Sequence, residues 1–151
     1  MTSWLLTISL LFVLTPSNPS RCVMGGTASG AAKEAAAVFV GKAVARELVP
    51  LREGSGQAVA FKFRVEQVWK GKLLEEVLLS TLQVEYSNGI VSLPAEDFSP
   101  REGKSYLVYA YAGEDNRLTT KACSRSRSVN VAEEDIRELG AGYLPEKEDG
   151  K

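Results

Sequence analysis

The feature that most constrains the fold is a stretch of regular alternation, AVAFKFRVEQVWKG, at residues 58–71. One side of this stretch carries the apolar residues Val59, Phe61, Phe63 and Val65. The charged residues Lys62, Arg64 and Glu66 fall on the other side. A period of two is typical of a β-strand with one buried face. The run ends in VWKG, which predicts that the strand closes into a turn at Gly71.

Four other segments are predicted to be extended. The run AAAVFVGKAVARELVPL predicts a strand from about residue 38 to 48, joined to the next strand as a hairpin. Residues 75–84 form another candidate strand, and residues 105–113, SYLVYAYAG, are apolar enough for a central strand buried on both faces. Residues 117–129 supply a fifth extended segment. The stretch between residues 85 and 104 reads as loop, with a tight turn at Asn88-Gly89.

Two helices are predicted at the ends of this strand-rich region. The segment SGAAKEAA predicts a short helix capped by Ser29. The segment NVAEEDIRELG predicts a second helix, with Asn130 as the cap and Glu133 completing a capping box. Its apolar stripe consists of Ala132, Ile136 and Leu139, and Gly140 ends it.

These elements predict an all-β fold with flanking helices. Five strands, a short N-terminal helix and a C-terminal helix are most simply arranged as a five-stranded OB-like β-barrel. We expect one domain over residues 21–143, followed by a flexible tail at residues 144–151. About 130 residues remain beyond the leader described next, enough for a single domain with a real core.

The first twenty residues predict a secretory signal peptide. They carry no charged side chain, and their apolar run from Trp4 to Leu14 is too short to cross a bilayer. Cleavage after Ser17 would start the chain at Asn18, and cleavage after Ser20 would start it at Arg21. We therefore expect a secreted, periplasmic or extracellular protein with no stable membrane insertion after signal removal.

The chain has two cysteines, Cys22 and Cys123. In an exported protein they are most simply one disulfide, because the compartment is oxidising. The bond would enclose a loop of about one hundred residues, for which chain entropy gives roughly 4 to 5 kcal/mol as an upper figure.

Composition argues against several classes of function. The chain contains no histidine, which excludes a Ser-His-Asp or Cys-His centre and a His-ligated metal site. The net charge of −1 offers no global attraction to nucleic acid. We therefore expect no enzyme activity, no cofactor, no bound metal and no nucleic-acid partner, and we expect a monomer.

Four segments, in this order and spacing, carry a family resemblance. They are AAVFVGKAV, FRVEQVWKG, GKSYLVYAY and LTTKACSRSRSVNVAEEDIRELG. Over roughly residues 30 to 140 the chain resembles the bacterial and eukaryotic proteins similar to the N-terminal domain of tissue inhibitors of metalloproteinases. The resemblance implies a secreted OB-like netrin module whose partner is a zinc metallopeptidase.

The resemblance also implies a way of acting. In the animal inhibitors the mature chain begins with a cysteine, whose free α-amine and carbonyl oxygen bind the catalytic zinc of the target. By this likeness the inhibitory segment here is Cys22, Val23 and Met24. The family pattern has a Cys-x-Cys pair at the start and a cysteine in the middle loop, whereas this chain keeps only Cys22 at the start and has none in that loop.

Two alternatives follow for Cys22. It corresponds to the second cysteine of the family pattern, paired with Cys123 and without a chelating role, or cleavage directly before it makes it the first residue. Arg21 is an unfavourable residue before a signal-peptidase cut, so we favour the structural disulfide. A basic cluster at Lys121, Arg125 and Arg127 is a candidate anion-binding site, although a solvated strand edge explains the same pattern.

Overall fold

The computed structural model describes residues 26–94 and 97–148. One sheet of seven strands is flanked by two helices, so the prediction of a mostly β chain with flanking helices is confirmed. The long strands are β1 (Ala37–Pro50), β2 (Gln57–Lys70), β3 (Glu76–Glu85) and β5 (Ser105–Ala112). Three two-residue strands are β4 (Val91–Ser92), β6 (Leu118–Thr119) and β7 (Arg127–Ser128). The helices are α1 (Ala28–Glu34) and α2 (Glu133–Leu139).

The strand pairings run in a closed circuit. The antiparallel pairs are β1 with β2, β2 with β3, β5 with β6, and β5 with β1. The circuit is completed by a parallel pair between β3 and β6. The strands β4 and β7 lie off this circuit, on β3 and β5 respectively. Because residues 38–42 of β1 pair with both β2 and β5, the first half of this strand has no free backbone edge.

The first apolar cluster lies on one face of the long strands. It contains the alternating residues of β2 that the sequence placed together, and all four are buried: Val59, Phe61, Phe63 and Val65. Aromatic rings meet edge to face within it, with Phe39 and Phe63 centroids 5.8 Å apart and Phe98 and Tyr106 centroids 5.2 Å apart. Such pairs add to the free energy gained from burying their area.

The second apolar cluster lies between the opposite face and the two helices. Leu107 and Tyr109 of β5 are fully buried there, against Val38 and Val40 of β1 and against both helices. Since Tyr106 and Val108 belong to the first cluster, β5 is buried on both faces, as its near-continuous apolar run predicted.

The segment from residue 117 to 129 is not one strand, which corrects the sequence prediction. Only Leu118–Thr119 and Arg127–Ser128 pair, and the chain turns between them. Cys123 adopts a left-handed backbone conformation, with φ of 59°, and the amide of Ser124 donates to the carbonyl of Lys121. A left-handed residue cannot continue a strand, so the pairing stops on either side of this turn.

Both predicted helix caps are also corrected. The N-cap of α1 is Thr27, whose hydroxyl accepts from the amide of Gly30, and Ser29 lies inside the helix. Asn130 lies in a 3₁₀ turn, and α2 begins after Ala132 with no side-chain cap. Ala132 is fully buried, so packing rather than capping sets this helix start. The predicted end of α2 at Gly140, with φ of 75°, is confirmed.

Part of the segment predicted to be a flexible tail is hydrogen bonded to the sheet. Tyr143 and Val68 exchange two backbone hydrogen bonds, of 2.7 and 2.8 Å. Farther along, Glu146 donates to the carbonyl of Leu73 at 2.7 Å and accepts from the amide of Glu75. These bonds use backbone groups of β2 and of the segment between β2 and β3. Tyr143 closes the predicted domain, and the bonds of Glu146 show that attachment continues into the predicted tail.

Candidate functional site

Three charged residues form a cluster between the end of the 117–129 segment and α2. Arg125 donates to both carboxylate oxygens of Asp135, from Nε at 2.7 Å and from Nη2 at 2.9 Å. Arg127 Nη2 lies 2.8 Å from Oδ1 of the same carboxylate. The Asp135 side chain is only 2% exposed, and a buried carboxylate needs such charged partners. We call Arg125, Arg127 and Asp135 the Asp135 cluster.

Local sequence places each member of the Asp135 cluster. Arg125 and Arg127 are two residues apart in an extended segment, so their side chains point to the same side. Asp135 lies three residues after Ala132 and four before Leu139, which puts it on the apolar stripe of α2. The hydrogen bonds to Asp135 are also the main reason that the pKa of Arg125 is raised.

Tyr109 lies beneath this cluster with its side chain fully buried. Its hydroxyl and the Nε of Arg127 are buried without a hydrogen-bond partner among the described residues. Burial is the largest cause of the raised pKa of Tyr109, and the charge of Asp135 adds to it. Tyr109 therefore stays neutral through the whole physiological pH range.

A second contact joins α2 to the beginning of α1. Glu138 accepts from the backbone amides of Ala28 and Ser29, each at 3.1 Å. These two amides have no partner within their own helix, as is usual in a first helical turn. Hydrogen bonds from the two amides are the main cause of the lowered pKa of Glu138, so its carboxylate is charged at neutral pH.

The chain just before α1 is attached to the Asp135 cluster. Arg125 Nη1 donates to the carbonyl oxygen of Gly26 at 3.3 Å. One guanidinium therefore binds both the buried carboxylate of α2 and the first described residue. Together with Glu138, this fixes residues 26–29 against α2 and the Arg125 side chain. These contacts join α1, α2 and the Arg125 side chain through hydrogen bonds and ion pairs.

The structure places the predicted site residues as follows. Cys22, Val23 and Met24 lie outside the described residues, as does the predicted leader. Cys123 lies in the exposed turn that precedes Arg125. The disulfide between Cys22 and Cys123 stays a prediction, as does the role of the inhibitory segment.

The candidate anion-binding residues do not form one patch. Arg125 and Arg127 meet on Asp135, whereas Lys121 lies 3.5 Å from Glu34 and its ammonium sits 4.7 Å from the centre of the Tyr111 ring. Each of the three cations already has a carboxylate partner. This arrangement gives a structural reason for the basic pattern in the sequence and leaves anion binding as an untested prediction.

Sequence reasoning missed three residues of this region: Asp135, Glu138 and Tyr109. For Asp135 the signal was present, because an acidic residue on an apolar helical stripe requires a partner. Its position in a first turn favoured an interaction with the helix dipole instead. Glu138 gave no such signal, since it is exposed and binds residues 110 positions away.

No protein-family model matches the chain, and no curated protein matches it. Within residues 26–94 and 97–148, no group of three or more histidine, cysteine, aspartate or glutamate side chains could hold a metal ion. In that same part of the chain no helix is long and apolar enough to cross a membrane.

Proposed function

We propose that this is an exported, non-catalytic protein similar to the tissue inhibitors of metalloproteinases. It would act by placing its N-terminal segment, Cys22 to Met24, in the active site of a zinc metallopeptidase. The resemblance of the sequence segments supports this proposal. The cleft of the target would be occluded by a protein chain, so the inhibitor itself needs no cofactor.

The proposal includes an OB-like β-barrel as the scaffold. Two features of the sheet support it: the closed circuit through β1, β2, β3, β6 and β5, and the parallel pair between β3 and β6. Closure of a small sheet on itself removes free edges and encloses one compact core, as in five-stranded barrels of this type. Such a scaffold would be rigid enough to present a short segment in a fixed direction.

The observation that carries the proposal is the attachment of Gly26 to Arg125. In the sequence, Cys22 precedes Gly26 by four residues and Cys123 precedes Arg125 by two, so the predicted disulfide is compatible with this contact. Four residues span at most about 14 Å. A disulfide at this place would complete the support of the inhibitory segment.

The mature N-terminus decides between inhibition with and without zinc binding. Mass spectrometry of the exported protein gives the first residue, and titration against a panel of zinc endopeptidases gives inhibition. A chain that begins at Cys22, and that loses inhibition when one residue is added before it, supports binding of the zinc by the α-amine. A chain that begins at Asn18 or Arg21 excludes this mechanism, and absence of inhibition across the panel rejects the proposed function.

A second candidate function is an exported interaction module that keeps the same scaffold without inhibition. One observation favours it: the hairpin from β3 to β4 is apolar and exposed. Ile90 is 61% exposed and Leu93 54%, and no charged residue occurs between residues 86 and 94. Exposed apolar patches often mark protein contacts. If the wild type inhibits no peptidase of the panel but binds another protein, loss of that binding in a double Ile90→Ser and Leu93→Ser variant would favour this alternative.

A further inference from the structure

Helix α2 contacts the first described residues at two separate points. Glu138 holds the amides of Ala28 and Ser29, and Arg125, itself bound to Asp135 of α2, holds the carbonyl of Gly26. At the first point two backbone amides donate hydrogen bonds, and at the second point a backbone carbonyl accepts one. Together they restrain both the position and the direction of residues 26–29.

Each of the first four backbone amides of α1 donates a hydrogen bond. Those of Ala28 and Ser29 go to Glu138, that of Gly30 to the Thr27 hydroxyl, and that of Ala31 to the Thr27 carbonyl. Without Glu138, the first two would have only water as a partner. A seven-residue helix is too short to be stable by itself, so its first turn depends on such tertiary contacts.

Helix α2 is itself held in place, because Asp135 is buried and the apolar stripe of the helix packs in the second apolar cluster. Arg125 uses Nε and Nη2 for Asp135, which leaves Nη1 directed at Gly26. A lysine could not make these contacts together, since its ammonium is a single point of charge.

We propose that α2 is the positioning element of the N-terminal segment, with Glu138 and Arg125 as its positioning residues. They hold residues 26–29 against α2 and the Arg125 side chain. The effect on inhibition rests on the proposed function, whereas the positioning itself does not. The contacts join residues about one hundred positions apart, so the C-terminal end of the domain controls the geometry of its beginning.

The test compares Glu138→Ala with Glu134→Ala in the full mature protein. Both substitutions remove one exposed carboxylate from α2, but within residues 26–94 and 97–148 the Glu134 side chain makes no hydrogen bond or ion pair. Hydrogen exchange should become about 5- to 10-fold faster at the Ala28 and Ser29 amides in the first variant, and stay unchanged in the second. Amides of β5 serve as an internal reference for global stability.

Glu138→Gln tests whether an uncharged acceptor restores part of the contact, because the side-chain amide oxygen of glutamine still accepts a hydrogen bond. Its exchange should fall between those of the wild type and Glu138→Ala. Unchanged hydrogen exchange at Ala28 and Ser29 in Glu138→Ala would overturn the positioning role. Exchange that becomes faster by the same factor at the β5 amides would also overturn it, because the effect would then be global. If the wild type inhibits, Glu138→Ala should weaken inhibition about ten-fold without loss of the fold, and unchanged inhibition would overturn the effect of positioning on inhibition. A wild type that inhibits nothing rejects the proposed function, and the exchange result then decides positioning alone.

Discussion

Asp135 is a charged residue in a nearly fully buried position, and its two arginine partners are themselves largely covered. Their side chains are 17% and 25% exposed. Removing one member of such a buried group leaves the others without their partner, and the penalty is larger than the net gain from the intact group. Asp135 is therefore a sensitive point for stability although it lies in a short helix.

We expect Asp135→Asn to lower the free energy of unfolding by about 3 kcal/mol or more, because two guanidiniums lose the carboxylate that they share. Urea unfolding followed by circular dichroism measures this. Asp115→Asn is the matched control, since Asp115 pairs with Arg52 while both side chains remain exposed, and it should cost less than about 1 kcal/mol. Equal losses in the two variants would contradict the importance of burial at Asp135.

Two buried tyrosines of β5 differ in how their hydroxyls are satisfied. The hydroxyl of Tyr106 accepts from the amide of Arg101 at 2.9 Å, whereas that of Tyr109 has no partner among the described residues. A buried polar group without a partner costs about 1–3 kcal/mol. We expect Tyr109→Phe to leave stability unchanged or to raise it by about 1 kcal/mol, and Tyr106→Phe to lower it by about 1 kcal/mol.

The same urea experiment tests this pair, and each variant controls for the other because both lose one phenolic oxygen from the same strand. Alkaline titration gives a second measurement. Burial raises the pKa of Tyr109 above the ordinary value of a tyrosine, so its ionisation should be displaced to higher pH and should be absent from Tyr109→Phe. A loss of stability in Tyr109→Phe equal to that in Tyr106→Phe would show that the Tyr109 hydroxyl is bonded.

At the scale of elements, the long strands could be predicted because periodicity reports burial directly. The alternation in β2 and the apolar run in β5 each correspond to the observed burial. The segment after residue 117 was harder, because its turn at Cys123 depends on a left-handed residue that has no characteristic sequence signal. The contacts of Arg125 and Glu138 could not be predicted from the sequence, since they join segments that are distant in the chain and meet only in the folded protein.

The attached tail leads to a prediction about truncation. Ending the chain after Ala141 removes the backbone hydrogen bonds of Tyr143 and Glu146 and the bond from the Tyr143 hydroxyl to the carbonyl of Gly71. The freed groups can bind water, so the expected loss is about 2 kcal/mol rather than the sum of the bonds. Thermal unfolding should show it, together with faster hydrogen exchange at the Val68 amide.

The control for this truncation ends the chain after Glu146, which keeps every one of these bonds. It should unfold like the full chain. If both truncations behave alike, the tail contributes nothing to stability and the pairing with Val68 is only a surface contact.

At the scale of the whole molecule, the chain closes on itself in two ways. The pairing of β1 with β5 completes the circuit of strand pairings. Helices α1 and α2 cover the second apolar cluster, and Glu138 of α2 binds the backbone at the beginning of α1. The contacts between Arg125 and Gly26 and between Glu138 and Ala28 each enclose about one hundred residues. A covalent bond between Cys22 and Cys123 would close the same loop, and would add to restraints that already exist.

The predicted disulfide should therefore stabilise the protein mainly by restricting the unfolded chain. A loop of about one hundred residues gives at most about 4 to 5 kcal/mol. Comparing urea unfolding of the oxidised protein with and without reductant measures this contribution. The double variant Cys22→Ser and Cys123→Ser is the control, because it should match the reduced protein and ignore the reductant. Thiol labelling of the unfolded, oxidised protein should modify neither cysteine, and a labelled Cys123 would contradict the bond.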